Sequence, residues 1–132
     1  VDAHADEYFA VFERPAGALD AVVAVQRAMH EGGWPGGATV RLRAGLHTGR
    51  PSLTESGYVG LSVHTVARIS ACAHGGQTLL SSHAHSGMPN GLAGISFRDL
   101  GEHRLAGMPK AERLYQLTVK GMPSRFPALR WQ

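Results

Sequence analysis

The hydrophobic pattern along this chain changes period several times. In residues 1–12, VDAHADEYFAVF, the turn-prone HAD separates Val1 from an apolar, aromatic run at Tyr8–Phe12, which predicts a hairpin. Pro15 and Gly17 break the strand. From Ala16 to Glu31, Ala18, Val22, Val25 and Met29 fall at helical spacing, and GGWPGG ends that helix. Residues 39–48, TVRLRAGLHT, alternate. Val40, Leu42, Ala44 and Leu46 face one way, and Arg41, Arg43, Gly45 and His47 face the other, as in a half-buried strand. A loop, GRPSLTESG, follows.

Residues 58–70, YVGLSVHTVARIS, read as a strand end entering a helix. Gly60 marks the junction and Ser62 is the expected N-cap. Val59, Val63, Val66, Ile69 and Ala73 would form one buried stripe. His64 and Arg68, four apart, share a different face. The helix runs to His74-Gly75-Gly76. QTLLS (77–81) is a short buried strand, and SSHAHSGMP a brief helix capped by Ser81 or Ser82. Residues 94–105 and 112–119 are two strands around a GMPKA loop. The tail from Gly121 has two prolines and little pattern. The order, β(β)αβαβαββ, predicts helices packed on a sheet.

At 132 residues the chain is read as one domain, 1–132, long enough for a real core. The contents, 43% hydrophobic and 17% charged, describe a globular protein, and no apolar run approaches a membrane span. The absence of a signal-peptide pattern and the single cysteine, Cys72, favour a reduced, cytoplasmic setting, with Cys72 in or near the core. The net charge of +3 does not make a nucleic-acid surface. The C-terminal basic residues are spread out among Asp99, Glu102 and Glu112, and no binding motif accompanies them. A surface ion-pair network is the ordinary reading of Arg98, Asp99, His103 and Arg104. The HxH of His83 and His85 has no matching pair at zinc spacing. His47 reads as a packing or loop-fixing residue, and Trp34 as loop packing.

HADEYFAVF, VRLRAGLHTG, YVGLSVHTVARI, HGGQTLLS, FRDLGEHRL and ERLYQL occur in this order. Together they resemble the catalytic domain of class III adenylate/guanylate cyclases, in the style common in actinobacteria. The resemblance implies an α+β fold, a ferredoxin-like βαββαβ sandwich core with extra C-terminal strands. The family's opening strand and helix find no match here. It also implies a homodimer with sites at the interface, and elements that could be swapped between protomers. The family's reaction uses ATP or GTP: the ribose 3′-hydroxyl attacks the α-phosphorus and releases pyrophosphate. Two magnesium or manganese ions held by aspartates assist.

Residue by residue, the resemblance puts Asp6 at one metal position, with Ala5 replacing the family's glycine. No residue matches the other metal aspartate. Asp2 stands where a base-reading lysine is expected, and Gly57 where the second base reader is expected. Arg68 keeps the arginine that stabilises the phosphorane, and His64 replaces the ribose-positioning asparagine. These changes imply a degenerate cyclase with little or no activity. Two alternatives stay open: an active cyclase whose missing metal strand is supplied, and a dimerisation or regulatory module in cyclic-nucleotide signalling.

Overall fold

The computed structural model describes residues 2–4, 7–33, 35–37, 40–50, 52–55 and 57–130. A four-stranded mixed sheet is its centre, in the order β3-β6-β8-β7. The strands are β3 (Ala44–Leu46), β6 (Thr78–Ser81), β7 (Ile95–Arg104) and β8 (Ala111–Val119). β3 pairs parallel with β6, and β6 and β7 each pair antiparallel with β8. Two hairpins stand as separate sheets: β1 (Asp2–His4) with β2 (Glu7–Phe9), and β4 (Ser52–Thr54) with β5 (Gly57–Val59). The helices are α1 (Pro15–Glu31), α2 (Leu61–Cys72) and α3 (Ser82–Ser86). This is the expected mixed α+β arrangement.

Side chains alternate across a strand, so the sheet feeds two cores. Leu80, Leu117 and Val119 meet Leu19 and Val22 of α1 and Ala84 of α3. Leu79 and Leu114 meet Ile69, Cys72 and Ala73 at the other face, under α2. The local signals explain the helix ends. Pro15 pre-sets the first turn of α1, and Gly32 closes it at φ 77°. Ser81 caps α3 by accepting from Ala84 N–H at 3.2 Å.

Several expectations need correcting. The buried stripe of α1 is Leu19, Val22 and Gln26, while Val25 is 40% exposed. Gln26 can be inside because its amide donates to Leu42 C=O and Thr78 Oγ1, at 3.1 and 3.0 Å. On α2 the buried residues are Thr65, Ile69 and Cys72, and Val59 is exposed. Thr65 is satisfied by donating its hydroxyl to Leu61 C=O at 2.9 Å. The cap of α2 is Gly60, at φ 122°, with no side-chain bond; Ser62 lies inside the first turn.

The strand at 39–48 shrinks to Ala44–Leu46, with Val40 exposed; on its second face Arg41 and Arg43 are exposed, but Gly45 and His47 are partly buried. Gly45 lies directly under α2: a Cβ there would sit 2.8 Å from Ser70 N and 3.0 Å from Val66 O. The presumed loop after it holds the β4–β5 hairpin. The tail is tied down. Ser124 C=O accepts from Gln116 Nε2 at 2.8 Å, Ala128 C=O bonds His74 Nε2 at 2.8 Å, and Arg130 N–H donates to Cys72 C=O at 2.9 Å. Trp34, whose reading was loop packing, lies outside the described residues.

Candidate functional site

Helix α2 carries the site that the sequence singled out. It leaves Gly60 with no acidic residue in its first turn and no side-chain cap, so its first N–H groups and partial positive charge face outward. His64 and Arg68 both lie exposed on its outer face, one turn apart. Neither side chain has a hydrogen-bond or ion-pair partner among the described residues. A guanidinium so placed can grip a phosphate or carboxylate by two parallel bonds. Leu61 and Arg68 are seven residues apart, about 10 Å along the axis.

The surroundings are apolar. Leu53 on β4 is 71% exposed and Leu61 is 70% exposed, with exposed Val59 between them in sequence. Gly57 pairs with Thr54 in the hairpin that leads into α2. Having no side chain, it offers a ligand no hydrogen-bonding group beyond its backbone.

Asp2 sits in β1, paired with Phe9 in a hairpin that is separate from the main sheet. Asp6 and Ala5 lie outside the described residues. Among the described residues no group of three or more His, Cys, Asp or Glu could hold a metal ion. The described donors thus do not by themselves fit a two-ion cradle. The HxH histidines diverge: His83 approaches the His47 ring edge-on, while His85 stacks on Tyr115 with centroids 3.8 Å apart. At the C-terminal strands, Arg113 pairs with Asp99, its Nη1 donating to both carboxylate oxygens at 2.9 and 2.8 Å. Arg113 was not among the residues expected in that network; its cross-strand position on β8 brings it there.

Sequence reasoning also missed the joint behind α2. His47 Nδ1 lies 2.7 Å from the Oγ of buried Ser81, and Gly49 packs so closely on Ser62 that a Cβ would collide with its side chain. The HTG run was the visible signal, but its partners come from β6 and α2.

No family model matches the chain. An uncharacterized protein of Mycobacterium tuberculosis is 35% identical over 126 residues, which are 95% of this chain and 42% of that protein. A second uncharacterized protein of the same species is 30% identical over 95 residues, 67% of this chain and 38% of that one. The chain thus spans less than half the length of these relatives. Among solved structures, an adenylate/guanylate cyclase/hydrolase from Silicibacter pomeroyi superposes with TM-score 0.71 at 23% identity, over 83% of this chain and 66% of that one. An adenylate cyclase from Trypanosoma brucei, solved in its monomeric state, gives TM-score 0.59 at 30% identity, over 89% and 49%. No helix among the described residues is long and apolar enough to cross a membrane.

Proposed function

We propose, for a chain that carries the fold of the class III adenylate/guanylate cyclases, that it is a degenerate cyclase-like module with little or no turnover as it stands, acting through self-association. The observation that carries the reading is the α2 face. Exposed Arg68 supports it, read as the counterpart of a cyclase's phosphate-stabilising arginine, with His64 one turn away in place of an amide and Gly57, which has no side chain to read a base, in the hairpin that leads into the helix. An imidazole can donate one hydrogen bond to a ribose, but it is larger than an amide. At Asp2, a carboxylate in place of a base-reading lysine turns a donor into an acceptor. That change leaves a bound adenine or guanine short of about 1–3 kcal/mol per lost bond.

Self-association is supported by the uncovered apolar set Leu53, Val59 and Leu61 around the same face. A homodimer that packs these residues against each other would also bury Arg68 and His64 at its interface. Purified chain mixed with ATP or GTP and magnesium or manganese should give no cyclic nucleotide above background. Sedimentation should show dimers that Leu61→Asp weakens at least tenfold. Robust cyclisation that Arg68→Ala abolishes would refute the degenerate reading.

The sheet edges favour a second reading, an active cyclase completed by another strand. The β7 edge is defended: it carries a bulge between Asp99 and Glu102, with exposed Arg98, Glu102 and Arg104. The outer edge of β3, Ala44-Gly45-Leu46, has none of these devices and pairs with no strand among the described residues. A strand added there, from further chain or a second protomer, could supply the missing metal aspartate and magnesium or manganese binding with it. Manganese-dependent cyclisation by a longer chain, lost on Asp6→Asn, would select this reading.

A further inference from the structure

Apart from the α2 face, titratable groups converge where β3 and β6 end. His47 follows β3 and is half-buried, with its Nδ1 2.7 Å from Ser81 Oγ. Ser81 is 0% exposed, and its oxygen already accepts from Ala84 N–H to cap α3. The hydroxyl hydrogen still needs an acceptor, and among the described residues His47 Nδ1 is the one in reach. Nδ1 therefore accepts, which puts the ring proton of neutral His47 on Nε2.

Two charged or titratable groups face this ring from other elements: His83 on α3, whose ring is edge-on with centroids 5.9 Å apart, and Glu112 on β8. Two residues beyond His47, Gly49 packs on Ser62 in the first turn of α2. The joint thus links the end of β3, the cap of α3 and the start of α2.

We propose that protonation of His47 is a conformational switch that loosens this joint. One proton taken from solvent puts an N–H on Nδ1, pointing at the Ser81 O–H. Two donors then face each other. Either the hydroxyl turns and leaves its hydrogen buried without an acceptor, or the ring swings out and draws residues 47–49 away from Ser62.

The electrostatics agree with the geometry. Burial is the largest influence and holds His47 below the ordinary histidine value. Glu112 opposes this, and His83 adds to it. A histidine held low in the folded state contributes stability above its unfolded value, about pH 6.5, and that stability is lost as pH falls towards the folded value. The switch therefore works on the acid side of neutrality. That it alters how α2 presents His64 and Arg68 rests on the reading of that face as a site; the switch itself does not.

The test is a pH titration of the whole chain from 7.5 to 5, followed by nitrogen-15 NMR of the histidine rings and backbone amides. Neutral His47 should carry its proton on Nε2 and titrate below the ordinary value. The amides of Ser62 and Ala84 should move with its midpoint. His83→Asn, at an exposed position, should raise that midpoint by removing the opposing ring. His47→Gln, which keeps an acceptor but cannot charge, should leave both amides flat across the range. A proton on Nδ1 at neutral pH, amides that ignore the His47 midpoint, or amides that still titrate in His47→Gln would overturn the proposal. Failure of the cyclase and dimer assays would leave these signals untouched, so the two readings fail separately.

Discussion

Replacing Gly45 with alanine puts the contact between sheet and helix directly to the test. Two opposing effects act at this position. Alanine restricts the unfolded chain, which by itself stabilises by about 0.4–1 kcal/mol when the folded backbone can accept it. The φ at Gly45 is not in the left-handed region, so the backbone does accept it. Sterics decide the sign. The new Cβ would lie 2.8 Å from Ser70 N, 3.0 Å from Val66 O and 3.2 Å from Ile69 Cγ2. The first two are helix backbone and cannot rotate aside, so α2 must lift from β3. Overpacking of this kind costs about 1–3 kcal/mol, which leaves a net loss of about 1–2 kcal/mol. For a chain of 132 residues that corresponds to a fall in Tm of about 4–8 °C. Gly17→Ala is the control. Its Cβ meets only Phe12 Cδ1, at an ordinary 3.7 Å, on an exposed turn of α1, so helix propensity should raise Tm slightly. Thermal unfolding followed by circular dichroism reads both. A Gly45→Ala protein that melts at or above the parent, as Gly17→Ala should, would show that α2 does not rest on β3 as described.

Other outcomes follow from the buried groups. Gln77 Nε2 donates to Gln116 Oε1 at 2.8 Å, with both residues buried. Gln116→Ala orphans that amide and should cost about 1–3 kcal/mol in urea denaturation. It should also free the tail at Ser124 to hydrogen exchange, and a change within 0.5 kcal/mol, about the size of a neutral surface substitution, would contradict the network. The Cys72 thiol is buried, and burial raises its pKa. A thiol-reactive dye should modify it about a thousandfold more slowly in native buffer than in denaturant; comparable rates would place it at the surface. The Asp99–Arg113 pair is exposed on both sides, so Arg113→Ala should shift stability little, and less still in high salt.

Local chemistry in the sequence was enough to place most elements. Proline at the start and glycine at the end delimit α1, Ser81 caps α3, and the long alternating runs give β7 and β8. The ordered motifs gave the cyclase fold, and spacing alone put His64 and Arg68 on one turn of α2. Periodicity says that a helix has a buried stripe, but not which stripe when polar residues can be satisfied inside. Gln26 is buried because acceptors at Leu42, just before β3, and at Thr78 on β6 await it, and Thr65 because its own helix supplies one at Leu61; the long-range partners are invisible to a local window. The β4–β5 hairpin is short, and only its pairing distinguishes it from loop.

The same limit applies to Gly45 and His47. Their alternation with Leu46 shows that they face away from α1, and solvent was the natural inference. Only the docking of α2 turns that face at Gly45 into a second core, where a missing Cβ permits close approach, and only the fold brings His47 Nδ1 within 2.7 Å of the buried Ser81 hydroxyl. What lies across a sheet is fixed by chain segments far away in sequence, so burial, side-chain partners and exposed edge were decided by the tertiary structure. The sequence by itself determined the elements and the residue types available to fill them.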